Sequence, residues 1–452
     1  MSTRAEPQVM DSVDHAAPRA GGFPLVGLLR ERLDYLERLR ARHGDIYALD
    51  LPGRPIVLCH PAHGQRVLRD HAANYRKGGG FWQVLRELLG DGIVVSEGER
   101  WLRQRRLMQP QFHRRRIVGM AEAVIQAIDG ELARWPAPTQ RLDVCARMSA
   151  LTMQVITRTM FGDHVDQGEI DTIARELPIV LGFTTVGVLT HGLPSWAPVP
   201  GRRRFRAAKA AIRELVAGLI ARRRASGLAD DTLLALLAEA VDADTGERMS
   251  DTQLLDEAVG IFVAGYETTA LGLAWAIHAL LQNPSVMARL EAEVDAALGD
   301  RPLTYADLAR MPYTRQVLLE SLRLYPPASW LPRVAVADDV IDGVRIPAGA
   351  TVILPIYTWH RHPDMWADPE RFDPSRFEPE RASRRHSFAY APFGGGQRLC
   401  IGKELALLEG QAALAAIFRR FRLAPVDDRV VRAIPSATLT PQGGVWARLR
   451  GR

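Results

Sequence analysis

The residues best suited to chemistry stand in one run, Phe393-Gly394-Gly395-Gly396-Gln397-Arg398-Leu399-Cys400-Ile401-Gly402, followed at once by Lys403-Glu404-Leu405-Ala406-Leu407-Leu408-Glu409. The first half is a glycine-rich turn, whose backbone can approach a flat partner and adopt φ values closed to other residues. The second half is apolar-periodic, with no Gly or Pro until Gly410, and predicts a helix. Cys400 falls where that helix begins, and the unpaired N–H groups of a helix start favour an anion and lower a thiol's pKa. The expected product is a thiolate presented from a shielded turn. A phosphate loop does not fit: the gap from Gly396 to Gly402 is one residue too long, and Glu404 stands where Ser or Thr is needed. A structural cysteine is the other reading, but that role requires neither three glycines nor an arginine just before it.

All fixed positions of the pattern Phe-Gly-x-Gly-x-Arg-x-Cys-x-Gly are present. The stretch resembles the cysteine-ligand loop of the cytochromes P450, the haem proteins with a Cys thiolate on the iron. The resemblance implies haem b (heme b, iron protoporphyrin IX) with Cys400 as its metal ligand and Phe393 and Ala264 among the residues touching it. Trp101 and Arg105, one helical turn apart, are similar to the family's Trp-x-x-x-Arg pair on a haem propionate. One offers an indole donor and the other a permanent cation. Family position makes Arg333 and Arg398 further propionate partners.

Ala264-Gly265-Tyr266-Glu267-Thr268-Thr269 sits inside the longest apolar stretch, Asp251 to Asn283, and matches the family's acid-alcohol motif. Gly265 removes bulk where a ligand can approach. The resemblance gives Thr268 a part in stabilising dioxygen and Glu267 a part in proton relay. The plainer reading is a Thr whose hydroxyl bonds back to its own helix and bends it. Glu320 and Arg323, at i and i+3, look like the family's Glu-x-x-Arg, a buried ion pair completed by a second arginine downstream. Two candidates follow, Arg371 with the family's letters and Arg376 with its spacing, and the spacing selects Arg376. By resemblance, Val94, Ala328, Ser329 and Leu331 border the substrate pocket. His360 and His362 alternate as metal ligands can, but a structural role is expected of them.

These residues need elements to hold them. The chain has 452 residues, 47% of them hydrophobic, ample for a large core. The resemblance implies a mainly α fold with a smaller β region: a long central helix over the haem and the cysteine loop on the other side. Residues 1–22 read as a disordered tail and 23–452 as a single haem domain. Amphipathic helices are expected over 35–42, 62–70, 99–108, 117–134, 144–161, 313–324 and 404–421. Two more, 170–181 and 202–224, form the lid over the substrate channel by resemblance. A hairpin is expected around Pro52-Gly53-Arg54 and a flexible link at Gly78-Gly79-Gly80. Glu267 argues against a membrane span at 251–283, because a carboxylate at the bilayer centre is costly.

Three dispersed cysteines and no signal-peptide core point to a reducing, cytoplasmic setting without a membrane anchor. The net charge of +6 comes almost wholly from arginine, the only lysines being Lys77, Lys209 and Lys403. No nucleic-acid motif accompanies it. Arg103, Arg105, Arg106 and Arg114-Arg115-Arg116 are candidates for docking an acidic protein. The expected protein is a monomeric haem-thiolate monooxygenase that inserts one atom of dioxygen into an apolar small molecule, a terpenoid, fatty acid or other secondary metabolite. Electrons would come from a ferredoxin or flavodoxin with its reductase. A peroxide-using haem enzyme and a haem-based sensor are the alternatives.

Overall fold

The computed structural model describes residues 15–20, 33–162, 164–194, 196–226, 231–427 and 429–452. The organising element is the central helix Asp251–Gln282, capped by the Ser250 hydroxyl, which accepts the Gln253 N–H. It is apolar nearly all round, which suits a helix with neighbours on every side. Those neighbours are Val144–Phe161, Arg202–Ser226, Pro312–Leu324 and Lys403–Arg420. A Cβ on Gly265 would lie 2.9 Å from Ile156 Cδ1 on Val144–Phe161, so glycine permits that close crossing. Among the described residues this is the one helix long and apolar enough to cross a membrane, and here it forms the core.

The smaller β region holds a six-stranded sheet in the spatial order 19–20, 46–49, 56–58, 351–354, 331–335, 75–76. Ile46–Leu49 and Ile56–Leu58 pair antiparallel, the expected hairpin. The expected tail needs correction. His15–Ala16 pairs with Val344–Arg345, and Arg19–Ala20 pairs with Ala48–Leu49, so their backbone groups are spent on sheet edges. Residues 1–14 and 21–22 of that tail lie outside the described residues.

Three helices of seven or more residues escaped the sequence reading. Gly80–Leu89 starts at the last glycine of the supposed link. Pro284 does not merely close the central helix. It opens the next, Pro284–Leu298, because proline's missing N–H costs nothing at a first helical position. Leu233–Glu239 is short and capped by Thr232. The helix expected over 170–181 runs longer, Gln167–Leu189, with Pro178 inside it.

Glu257 is fully buried on the central helix, and burial pushes its carboxyl up from 4.5 to about 8, against the Ile93 N–H that it accepts. Asp256, Arg100 and Lys77 are the charged groups that act on it. Between pH 4.5 and about 8 the native state therefore binds more protons than the unfolded chain, and stability falls as pH rises through that window. Urea midpoints at pH 5, 6.5 and 8 should show this fall, and Glu257→Gln should flatten it. An unchanged slope in the variant would assign the pH dependence to other groups.

Candidate active site

The cysteine loop is built by backbone geometry. Gly394 and Gly396 have φ of +71° and +64°. A Cβ on Gly396 would lie 1.8 Å from the Leu68 carbonyl oxygen, so only glycine fits there. Leu68 belongs to a π-type turn, Arg66–Asp70, wrapped against the loop. The Cys400 N–H donates to the Phe393 carbonyl at 3.0 Å and closes the turn. The following helix, Lys403–Arg420, begins three residues after Cys400. The backbone N–H groups of Gly402 and Lys403 both point at the sulfur, and Arg105 acts on it electrostatically. Burial nevertheless outweighs them and holds the thiol above its ordinary value, the reverse of the expectation from helix position alone. The residue is accessible although protein encloses the sulfur closely. A thiol binds metal as the thiolate and releases its proton on binding. The two N–H groups and Arg105 would then face a full negative charge.

Beside the loop lies a knot of cations with too few anions. Arg398 stacks on Trp101 at 3.7 Å, and donates to Glu97 Oε2 at 2.8 Å and to the Ser96 carbonyl at 3.0 Å. Arg333 is 5% exposed and lies over Trp82 at 5.4 Å. Burial first, then Arg398, push its guanidinium down to about 10, while Glu97 opposes them. Lys77, outside every motif in the sequence, reaches the same place. Its Nζ donates to the Val94 carbonyl at 2.5 Å and lies over Trp82 at 5.1 Å. Burial, Arg398 and Arg333 drive its pKa well below the usual value. Arg333, which is buried, and Lys77 and Arg398, which are half-buried, share Glu97 and call for further negative charge. The two propionates of a haem fit that requirement, and the Cys400 thiol, on an exposed residue of the adjoining loop, fits its iron. Arg105 donates to the Leu399 carbonyl at 2.9 Å and to Gln109, so it braces the cysteine loop.

The central helix is buried on both sides of a short accessible window. Ala264 is exposed, and Gly265, Glu267 and Thr268 are half-buried, whereas 258–263 and 269–270 are buried. The Thr268 hydroxyl donates to the Ala264 carbonyl at 2.6 Å, the local bond of the plainer reading. Burial pushes the Glu267 carboxyl up to about 7, opposed by a hydrogen bond from Thr438. Thr438 belongs to the turn of a C-terminal hairpin (433–435 and 439–441), held by bonds from Trp330 Nε1 to the Ser436 carbonyl and from Trp275 Nε1 to the Leu439 carbonyl. Nothing in the sequence placed that hairpin beside Glu267.

The comparisons with known proteins agree with this geometry. The family model "Cytochrome P450" matches residues 15–446. The chain belongs to the cytochrome P450 family. It is 38% identical to a cyclooctatin synthase of Streptomyces melanosporofaciens, over 97% of this chain and 96% of that protein. It is 39% identical to the cyclooctat-9-en-7-ol 5-monooxygenase of the same organism, over 90% and 89%. The pentalenene oxygenase of Streptomyces avermitilis is 32% identical over 97% and 98%. A crystal structure of the cytochrome P450DA heme domain superposes with a TM-score of 0.87 at 29% identity, covering 97% of this chain and 98% of that one. As a P450 the chain is a haem-thiolate monooxygenase, mainly α with a smaller sheet region.

The remaining expected residues of this P450 are placed as follows. Glu320 and Arg323 are fully buried and meet through two bonds of 2.7 and 2.8 Å. Arg376 sets its guanidinium 3.5 Å from Glu320, while the Arg371 side chain is exposed and offers only its backbone carbonyl to Arg323. Val94 lies against Gly260 on the central helix, 4.0 Å from where its Cβ would be. Ala328 and Leu331 are half-buried, and Leu331 reaches Gly394 of the cysteine loop. Ser329 is 1% exposed, so it stands behind that wall and not in it. His360 is structural: one ring nitrogen meets the Arg323 carbonyl and the other accepts the Ala391 N–H, both at 2.9 Å. His362 comes within reach of His60 and Asp364. Its Nε2 bonds Asp45, its Nδ1 accepts the Asp364 N–H, and His60 Nδ1 accepts the Ala62 N–H.

The arginines marked for docking divide in two. Arg103 pairs with Glu247, and Arg106 with Asp242 and Asp244, so the loop 242–247 neutralises both. Arg114, Arg115 and Arg116 are exposed, next to the exposed apolar Val118.

Proposed function

We propose that this P450 hydroxylates a terpenoid, with Cys400 as the residue whose thiolate would hold the haem iron. The observations that carry the substrate class are identities of 39% to the cyclooctat-9-en-7-ol 5-monooxygenase and 32% to the pentalenene oxygenase, each over 90% or more of this chain. When bound, the haem supplies oxygen activation and C–H oxidation. The protein contributes everything else. Lys77, Arg333, Arg398 and Trp101 would hold the propionates and so fix the plane of the group. The Gly402 and Lys403 N–H groups would stabilise the ligand's charge. The small, exposed Ala264 would leave room beside the haem, and Val94, Ala328 and Leu331 would present apolar surface that holds a hydrocarbon by shape, so positioning sets regiochemistry. Glu267, with a carboxyl near 7, exchanges protons at neutral pH, and Thr268 places a hydroxyl one residue away. Arg114 to Arg116 suit an acidic ferredoxin or flavodoxin served by its own reductase, in the cytoplasm.

The substrate reading is tested with a panel of cyclic terpenes and fatty acids, scored by the low-to-high-spin shift of the haem and by product formation with a surrogate reductase pair. A shift and turnover confined to fatty acids would overturn it.

Thr268→Ala should keep haem, fold and substrate affinity, because loss of one hydrogen bond costs only ~1 kcal/mol. Without its hydroxyl, proton delivery above the ring loses order. NADPH consumption should persist while product per NADPH falls and hydrogen peroxide rises. Unchanged coupling would leave Thr268 as a helix-bending residue only.

A further inference from the structure

Two adjacent acids, Asp256 and Glu257, stand on the central helix about three turns before the Glu267–Thr268 pair and take no part in the site above. Each holds the loop Gly90-Asp91-Gly92-Ile93-Val94-Val95-Ser96. Asp256 Oδ2 accepts the Asp91 N–H at 2.9 Å, and both Glu257 oxygens accept the Ile93 N–H, at 2.9 and 3.1 Å. The glycines of this loop are shaped to the acids. Gly90 has φ +70°, and a Cβ there would sit 2.2 Å from the Asp256 carboxyl carbon; a Cβ on Gly92 would press on Glu257 Oε2 at 3.1 Å. Asp256 has a second tie. Its Oδ1 accepts from Arg213 of the lid helix Arg202–Ser226 at 2.8 Å. One carboxylate thus joins three elements: central helix, loop and lid helix. The loop then ends at functional atoms, since the Ile93 and Val94 carbonyls accept Lys77 Nζ and the Val94 side chain lies against Gly260.

We propose that Asp256 is a positioning residue that couples the lid helix to the wall of the substrate pocket. Its Arg213 arm holds the lid, its Asp91 arm holds the loop, and Glu257 fixes the loop just before Val94. A lid movement that breaks the Arg213 ion pair also loosens the loop carrying Val94, so the width of the pocket follows the position of the lid. Such coupling is reciprocal: disturbing the loop disturbs the lid. This rests on Val94 as pocket wall and 202–226 as lid.

The test uses the haem-loaded full chain and two probes independent of turnover: deuterium exchange of residues 90–95, and the dissociation rate of 4-phenylimidazole, read from its haem absorbance. Lys209 also acts on Asp256 electrostatically, so the variant is Arg213→Gln with Lys209→Gln. Exchange in 90–95 should rise about tenfold and 4-phenylimidazole should leave several times faster, as expected when a charge-assisted bond holding a local opening is lost. Restoring lysine at position 213 should recover much of both. Gly90→Ala should raise exchange around Arg213 in return. If the double variant loosens only the lid and leaves 90–95 protected, the inference is overturned. A wild-type protein without a thiolate haem spectrum would sink the assigned active site instead, and the exchange experiment would still report on the coupling.

Discussion

Cys400→Ser yields folded protein that has lost the thiolate haem spectrum, with turnover reduced well beyond the ~10–100-fold that loss of a supporting contact to a metal ligand costs. The loop itself survives the change. It is closed by the Cys400 N–H to the Phe393 carbonyl, a backbone bond. It is shaped by Gly394 and Gly396, which the substitution leaves alone. The Gly402 and Lys403 N–H groups still find an oxygen acceptor. What fails is ionisation: an alcohol gives up its proton far less readily than a thiol, so serine is a poor anionic ligand and the electron release that thiolate provides is absent. Haem content should fall less than activity, because Lys77, Arg333 and Arg398 would still hold the propionates. The measurement is the carbon-monoxide difference spectrum of the reduced protein with haem counted per chain. A variant that keeps the thiolate band and full turnover would mean the ligand is elsewhere.

The parts of this site that were legible in the sequence are those whose constraint is local. Gly396 announces itself because a turn at φ +64° favours glycine, although the Leu68 carbonyl pressed on it could not be foreseen. Glu320 and Arg323 are one helical turn apart, so spacing alone joins them. The residues that stayed hidden depend on partners far away in the chain. Lys77 follows no motif, and its surroundings come from Val94, Trp82, Arg333 and Arg398. Thr438 reaches Glu267 only because a hairpin at the far end of the chain folds onto the central helix. Arg103 and Arg106 read as free surface charge until the loop 242–247 is seen against them. The helix errors have a different cause. Gly78-Gly79-Gly80 reads as a flexible link and Pro284 as the close of the central helix, but each stands at a helix start, where a missing side chain or N–H costs little.

Arg323→Ala and Glu320→Ala leave little soluble haem-loaded protein. Arg323 is completely buried and spends its donors on five acceptors: both Glu320 oxygens and the carbonyls of His360, Pro369 and Arg371. Alanine there strands the buried Glu320 carboxylate and frees three carbonyls at once. Breaking one partner of a buried pair typically costs ~3–5 kcal/mol. A native state has only about 5–15 kcal/mol to lose, so the yield of folded holoprotein should fall by about tenfold or more. The damage reaches the site because the His360 ring ties the Arg323 carbonyl to the Ala391 N–H, two residues before Phe393. Glu320→Ala strands Arg323 in the same way and frees the Asp373 N–H. Arg376→Ala should act in the same direction with a smaller effect, about 1–3 kcal/mol, because Glu320 keeps Arg323 while the Asp368 carbonyl loses its donor. Arg371→Ala removes an exposed side chain and should stay within about 0.5 kcal/mol of wild type. Urea midpoints and haem per chain for the four variants decide the matter. Near wild-type stability in the Arg323 and Glu320 variants would count against a buried cluster that holds the fold. A stable Arg376 variant beside an unstable Arg371 variant would give the third position to Arg371.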